Sequence, residues 1–271
     1  MSKKIFFFIL LIACSQQLFA DWPVGKGRTS LMPGYSYFYS ASSYDKQWKK
    51  NPFPAGNYFI TQVVNLSIGH GIGRSVDLFV SLPFIMQKSV NQDIIIAGSG
   101  VGDLNIGISK HFSSPDQHRH VTLKASTMIP MYQKDSLISL GYGSRGVGLE
   151  ANYSFSAGKS AFAIVQAQYA SYLDNSEGPR QYTYTATYGR KLNMFSLVTF
   201  SFTHQDSYSI NTVFNPNASV NTSFIVGRFS VSYGRRITRT IMPMLQLSTV
   251  VYGKNAGGGS GMGLTFITRL P

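Results

Sequence analysis

A two-residue alternation of apolar and polar side chains, repeated about twelve times along the chain, limits the possible folds more than any other feature. Tyr182, Tyr184, Ala186 and Tyr188 alternate with Thr183, Thr185, Thr187 and Gly189. Val147, Leu149, Ala151, Tyr153 and Phe155 alternate in the same way with Gly148, Glu150, Asn152, Ser154 and Ser156. Successive side chains of a strand point to opposite faces, so each run has one face in an apolar medium and one in a polar medium. When the apolar medium is lipid, nothing there can hydrogen-bond an unpaired N–H or C=O, and the sheet has to close on itself. The expected fold class is therefore all-β, a transmembrane antiparallel β-barrel of about 12 strands.

Composition supports lipid over water. Only 13% of the 271 residues are charged and 14% are aromatic, while mean hydropathy is zero. That is little charge for a soluble surface and little continuous hydrophobicity for a bundle of membrane helices. The one long apolar run is at the start and reads as a signal peptide over residues 1–20. Lys3 and Lys4 form its positive segment, Ile5 to Ala13 its apolar segment, and Leu18-Phe19-Ala20 its cleavage site. Residues 21–271 are expected to form the barrel. Leu11-Ile12-Ala13-Cys14 also resembles a lipobox, so cleavage after Ala20 competes with lipidation at Cys14, the only cysteine.

The strands expected are 26–40, 57–71, 74–87, 100–112, 119–129, 145–157, 160–172, 181–190, 194–205, 222–235, 239–252 and 260–270. The breaks between them alternate. Odd breaks (41–56, 88–99, 130–144, 173–180, 206–221 and 253–259) are long, and even ones, such as Ile72-Gly73 and Gly158-Lys159, are short. Outer-membrane barrels have this pattern of short periplasmic turns and longer external loops. Tyrosines and phenylalanines collect toward strand ends, as expected of rings at the headgroup level. The formal charge of +13 falls to +11 without Lys3 and Lys4. It comes from residues such as Arg74, Arg119, Lys159, Arg190, Lys191, Arg235, Arg236 and Arg239 at the short breaks, a solvated rim rather than a nucleic-acid surface. The strands at 57–71 and 160–172 carry apolar residues on both faces, which implies either an apolar stretch of lumen or a register slip.

Parity points Gln62, Asp77, Asp103, Asn105, Lys124, Glu150, Asn152, Gln166, Gln168, Arg228 and Gln246 inward. A charge on the lipid face costs about 2–4 kcal/mol near the midplane. Asp103, Asn105, Lys124, Glu150, Asn152, Gln166 and Arg228 are the candidate substrate-binding or lumen-lining residues. They either line a selective passage or pair into a network that seals the barrel. No catalytic residue, metal site or cofactor is expected. The histidines show no metal-ligand spacing, and Gly98-Ser99-Gly100-Val101-Gly102 opens a strand, not the helix a phosphate cradle needs. The strongest enzymatic alternative is His111-Phe112-Ser113, a histidine and serine two apart as in barrel phospholipases.

Gly100-Val101-Gly102-Asp103-Leu104-Asn105-Ile106-Gly107 resembles the Gly-x-Gly-Asp-Leu-x-x-Gly strand of a family of outer-membrane barrels assigned to phenol degradation by the meta-cleavage pathway. The segment Asp21 to Gly27 followed by Tyr35-Ser36-Tyr37 is similar to that family's first strand. The resemblance implies an outer-membrane channel or uptake barrel of a Gram-negative bacterium, passing small hydrophobic or aromatic solutes. Its partners would be outer-membrane lipid and lipopolysaccharide, the barrel-assembly machinery and a small-molecule solute, with no nucleic acid. A structural or surface-interaction barrel with a plugged lumen is the alternative function. The terminal Phe266-Ile267-Thr268-Arg269-Leu270-Pro271 departs from the family in lacking a final aromatic, with Phe266 as the displaced substitute.

Overall fold

The computed structural model describes residues 23–92, 94–116, 118–132, 140–173, 178–210 and 222–270. The segment expected to be a signal peptide and Cys14 lie outside the described residues, as do parts of the breaks at 130–144, 173–180 and 206–221. The strands are β1 (Thr29–Tyr44), β2 (Lys50–Pro52), β3 (Tyr58–Gly71), β4 (Val76–Asn91), β5 (Ile94–Val101), β6 (Asp103–Ser113) and β7 (Arg119–Pro130). They continue as β8 (Gly146–Ser156), β9 (Ala161–Tyr172), β10 (Arg180–Lys191), β11 (Ser196–Tyr208), β12 (Phe224–Arg235), β13 (Ile241–Lys254) and β14 (Ala256–Leu270).

Neighbours pair antiparallel in sequence order, and β14 returns to pair with β1, Tyr35 opposite Leu264. β5 and β6 are consecutive lengths of one stave, both paired with β4 and interrupted at Gly102. The short β2 folds onto β1 within the first loop. The wall is thus a closed antiparallel barrel of twelve staves, and every expected strand has its counterpart.

Two breaks expected to be long are not. β4 reaches Asn91 before β5 begins at Ile94, and β13 reaches Lys254 before β14 begins at Ala256. Gln92 and Asn255 turn the chain with φ of 52° and 50°. The Gly-rich run 257–259 looked unlike a strand because glycine packs no side chain. Here its lack of side chains lets β1 approach. The Ser40 and Ser42 hydroxyls donate to the Gly258 carbonyl at 3.0 and 2.5 Å, and a Cβ at Gly259 would run into the Phe38 ring.

The interior is polar. The most deeply buried side chains include Thr122, Ser40, Ser144 and Ser232, whereas Leu149, Leu247 and Val165 face outward, more than half exposed. On β8 Leu149 is 58% exposed and Asn152 only 2%, the division that alternation predicts. Rungs inside are hydroxyl to hydroxyl, Thr185 to Thr203 at 3.1 Å and Thr187 to Ser201 at 2.8 Å. Rungs outside are aromatic, with Tyr169 and Tyr182 ring centroids 5.2 Å apart. The staves with doubled apolar faces are in register. Val63 on β3 and Ile164 on β9 line the lumen, and the inward Phe162 ring covers the space a Cβ on Gly189 would need.

Candidate functional site

The inward faces enclose a cavity of about 580 Å³. Half of the residues that line it carry a hydroxyl or an amide, among them Gln166, Gln168, Thr183, Thr185, Ser201 and Thr203 on β9, β10 and β11. Apolar relief comes from Val63, Phe79 and Ile164. Among the described residues no group of three or more His, Cys, Asp or Glu could hold a metal ion.

Of the candidate residues, Asn105, Lys124, Glu150, Gln166 and Arg228 line this cavity. Lys124 and Glu150 are opposite each other on β7 and β8 and form an ion pair at 2.7 Å, their side chains 19% and 16% exposed. Asn152 lies behind them, 2% exposed, and its Nδ2 donates to Glu150 Oε1 at 2.6 Å. Arg228 follows a register shift at Gly227, and its guanidinium sits 5.8 Å from the Phe38 ring centroid. Asp103 stands apart from the cavity wall, beneath the loop that follows β7, where a side chain at Gly141 would strike both its Oδ2 and the Tyr132 hydroxyl. Asp77, Gln168 and Gln246 also face the cavity. Gln62 does not. It is opposite Tyr37 and accepts a hydrogen bond from the Tyr35 hydroxyl at 2.5 Å, so it belongs to the outward face. The flanking Val63 takes the inward position, and the tyrosine makes an outward amide tolerable by satisfying it.

The two ends of the cavity carry features that alternation could not reveal. At the end where β1 begins and β14 ends, Gly25 and Gly27 adopt φ of 93° and 76° in a turn that sets Val24 on the cavity wall. The Gly27 amide donates to the Gly71 carbonyl at 2.7 Å, and Val24 N–H donates to Asp77 Oδ2 at 2.9 Å. A Cβ at Gly71 would collide with the Gly25 backbone. At the other end residues 140–142, in the break between β7 and β8, pack against the wall. Leu140 is buried over Gly100, and Tyr142 packs on Tyr172 with centroids 4.5 Å apart. Gln181 Nε2 donates to Tyr142 Oη at 2.6 Å, and burial pushes that hydroxyl up to about 12. The signal in sequence was a pair of glycines before β1 and a Tyr-rich loop, neither of which has a period.

The His111–Ser113 pairing does not form. Ser113 Oγ meets His120 Nδ1 at 2.8 Å. His111 is buried between Thr122 Oγ1 on Nδ1 and Asp77 Oδ2 on Nε2, both at 2.9 Å. Asp77 thus supplies an orienting carboxylate, but Ser109 shares Nε2 with it at 3.2 Å rather than taking the other nitrogen. Thr122, which does take the other nitrogen, is 0% exposed, so no substrate carbonyl reaches it. A nucleophile must meet both its base and its substrate. This network ties β4, β6 and β7 together.

No protein-family model matches the chain, and no curated protein matches it by sequence. Solved structures do match in fold. An outer membrane channel from Pseudomonas putida F1 is 14% identical, with 94% of this chain and all of that chain covered at a TM-score of 0.78. The NanC porin is 9% identical, covering 89% of this chain and all of its own at 0.55. The transport unit of the autotransporter AIDA-I from Escherichia coli is 8% identical, covering 95% and 93% at 0.53. The likeness is one of fold: the chain has the architecture of outer-membrane barrels.

Two tests follow from this geometry. Lys124→Gln leaves the half-buried Glu150 without its cation, and should lower the stability of the refolded barrel by about 1–3 kcal/mol. Lys124→Met/Glu150→Leu should recover most of that loss, as read by heat-dependent gel migration. Gly71→Val should displace residues 24–28 without opening the wall, making that segment sensitive to protease in a barrel that still resists detergent.

Proposed function

We propose that this chain is an outer-membrane channel or uptake barrel for small molecules with hydrophobic or aromatic bodies. The observation that carries this reading is the cavity of about 580 Å³, lined by polar and apolar side chains together, inside a closed wall whose outer face is apolar. A barrel needing only to anchor itself in lipid has no use for such a space. Asn105, Lys124, Glu150, Gln166 and Arg228 would meet the solute, with Asn152 and Asp103 as supports behind them. Resemblance of the Gly100–Gly107 strand to the phenol-degradation barrels favours aromatic solutes, and the apolar patch of Val63, Phe79 and Ile164 gives such rings a surface inside the lumen.

In this reading the membrane is the outer membrane of a Gram-negative bacterium, with lipid and lipopolysaccharide against the aromatic exterior. The barrel-assembly machinery would insert the chain, with Phe266 on the outward face of β14 as the aromatic near its end. One set of contacts favours the second reading, a plugged structural barrel: Val24 is held on the cavity wall at one end by Asp77, and Tyr142 is bonded to the lining Gln181 at the other. Planar-bilayer recording of the purified barrel in potassium chloride separates the two. Discrete conductance steps that increase in Gly71→Val are expected of a channel, and silence in both proteins would establish the plug.

A further inference from the structure

The charges that face the cavity do not balance. Lys124 is neutralised by Glu150 at 2.7 Å. Asp77 is held by His111 Nε2 and the Val24 amide, both at 2.9 Å. Arg228 and Arg269 also line the cavity, and among the described residues neither forms an ion pair. Arg228 Nε is buried and has no hydrogen-bond partner. An arginine cannot shed its charge as a buried lysine can, so a guanidinium in a confined space remains a fixed positive site awaiting an anion.

Its surroundings are built to present it. On β12, Arg228 pairs with Thr203 of β11, which also lines the cavity, so strand alternation aims both inward. The bulge opposite is on β13, where the extra residue Val251 lets the Tyr252 ring pack against Gly227. Phe38, opposite the bare Gly261 of β14, stacks toward the guanidinium at 5.8 Å. The ring offers apolar contact, while the planar fork of donors matches a carboxylate bidentately.

We propose that Arg228 and Phe38 form a binding site for the carboxylate of a small aromatic or apolar acid. The site makes the lumen prefer anions and selects carboxylate-bearing solutes over neutral rings of the same size. This inference rests on the channel reading for its place in transport, but binding itself does not require conduction.

Two measurements keep the questions separate. In detergent, ligand-observed NMR with benzoate, and with benzyl alcohol as the neutral probe, reads binding to the full refolded barrel. Benzoate should bind and benzyl alcohol should not. Arg228→Gln should weaken benzoate by about tenfold or more, from the loss of a charge-assisted pair. Arg228→Lys should weaken it less, and Phe38→Leu should weaken benzoate but leave acetate unchanged. In planar bilayers with a potassium chloride gradient, the reversal potential should show anion preference in wild type and in Arg228→Lys, and lose it in Arg228→Gln. Heat-dependent migration confirms that each variant is folded. Equal benzoate binding by wild type and folded Arg228→Gln would overturn the site, whatever the barrel conducts. Benzoate binding lost in Arg228→Gln by a barrel that never conducts would uphold the site and overturn the channel reading.

Discussion

Lipid accepts no hydrogen bonds, and from that single constraint the structure follows. Twelve staves can satisfy their backbones only if the last pairs with the first, which is the β14 to β1 seam with Tyr35 opposite Leu264. Closure then fixes two environments for every stave. Most large apolar and aromatic side chains go out, and most serine, threonine and amide groups go in, where they bond each other across rungs such as Thr187 to Ser201. The seam is tight because the glycines of β14 let β1 come close, with Ser40 and Ser42 sharing the Gly258 carbonyl.

An interior of this kind cannot be held by hydrophobic burial in the ordinary way, since its buried residues are mostly small and polar. Larger polar groups are held in linked sets instead. Lys124, Glu150 and Asn152 form one across β7 and β8. Asp77, His111 and Thr122 form another across β4, β6 and β7. A buried charge in each has a partner, as its desolvation requires. Arg228 departs from that pattern: among the described residues it has no ion-pair partner, and its Nε is buried without a hydrogen bond.

The strands were legible because a period of two is written in every stave and survives errors of a residue or two at each end. Asn105, Glu150 and Asn152 could be oriented from the same parity. Gln62 could not, because β3 carries apolar residues on both faces and only the Tyr35 hydroxyl shows which side its amide takes. The turn of residues 24–28 and the packing of Tyr142 depend on contacts between segments far apart in the chain, Gly25 with Gly71 and Tyr142 with Gln181, and leave no local pattern. The Gly-rich start of β14 was misleading for a related reason: glycine is poor in an isolated strand and suited to one pressed against a neighbour.

The division between a lipid face and a lumen face is most directly tested along β8, where the two meet in successive residues. Cys14 is the chain's only cysteine, so with Cys14→Ser in place single cysteines at Leu149, Glu150, Ala151, Asn152, Tyr153 and Ser154 can carry a fluorophore without competition. After refolding into vesicles of brominated lipid, labels at Leu149, Ala151 and Tyr153 should be quenched, and labels at Glu150, Asn152 and Ser154 should stay bright. Quenching without a two-residue period, or with the opposite phase, would contradict the barrel wall described for this chain.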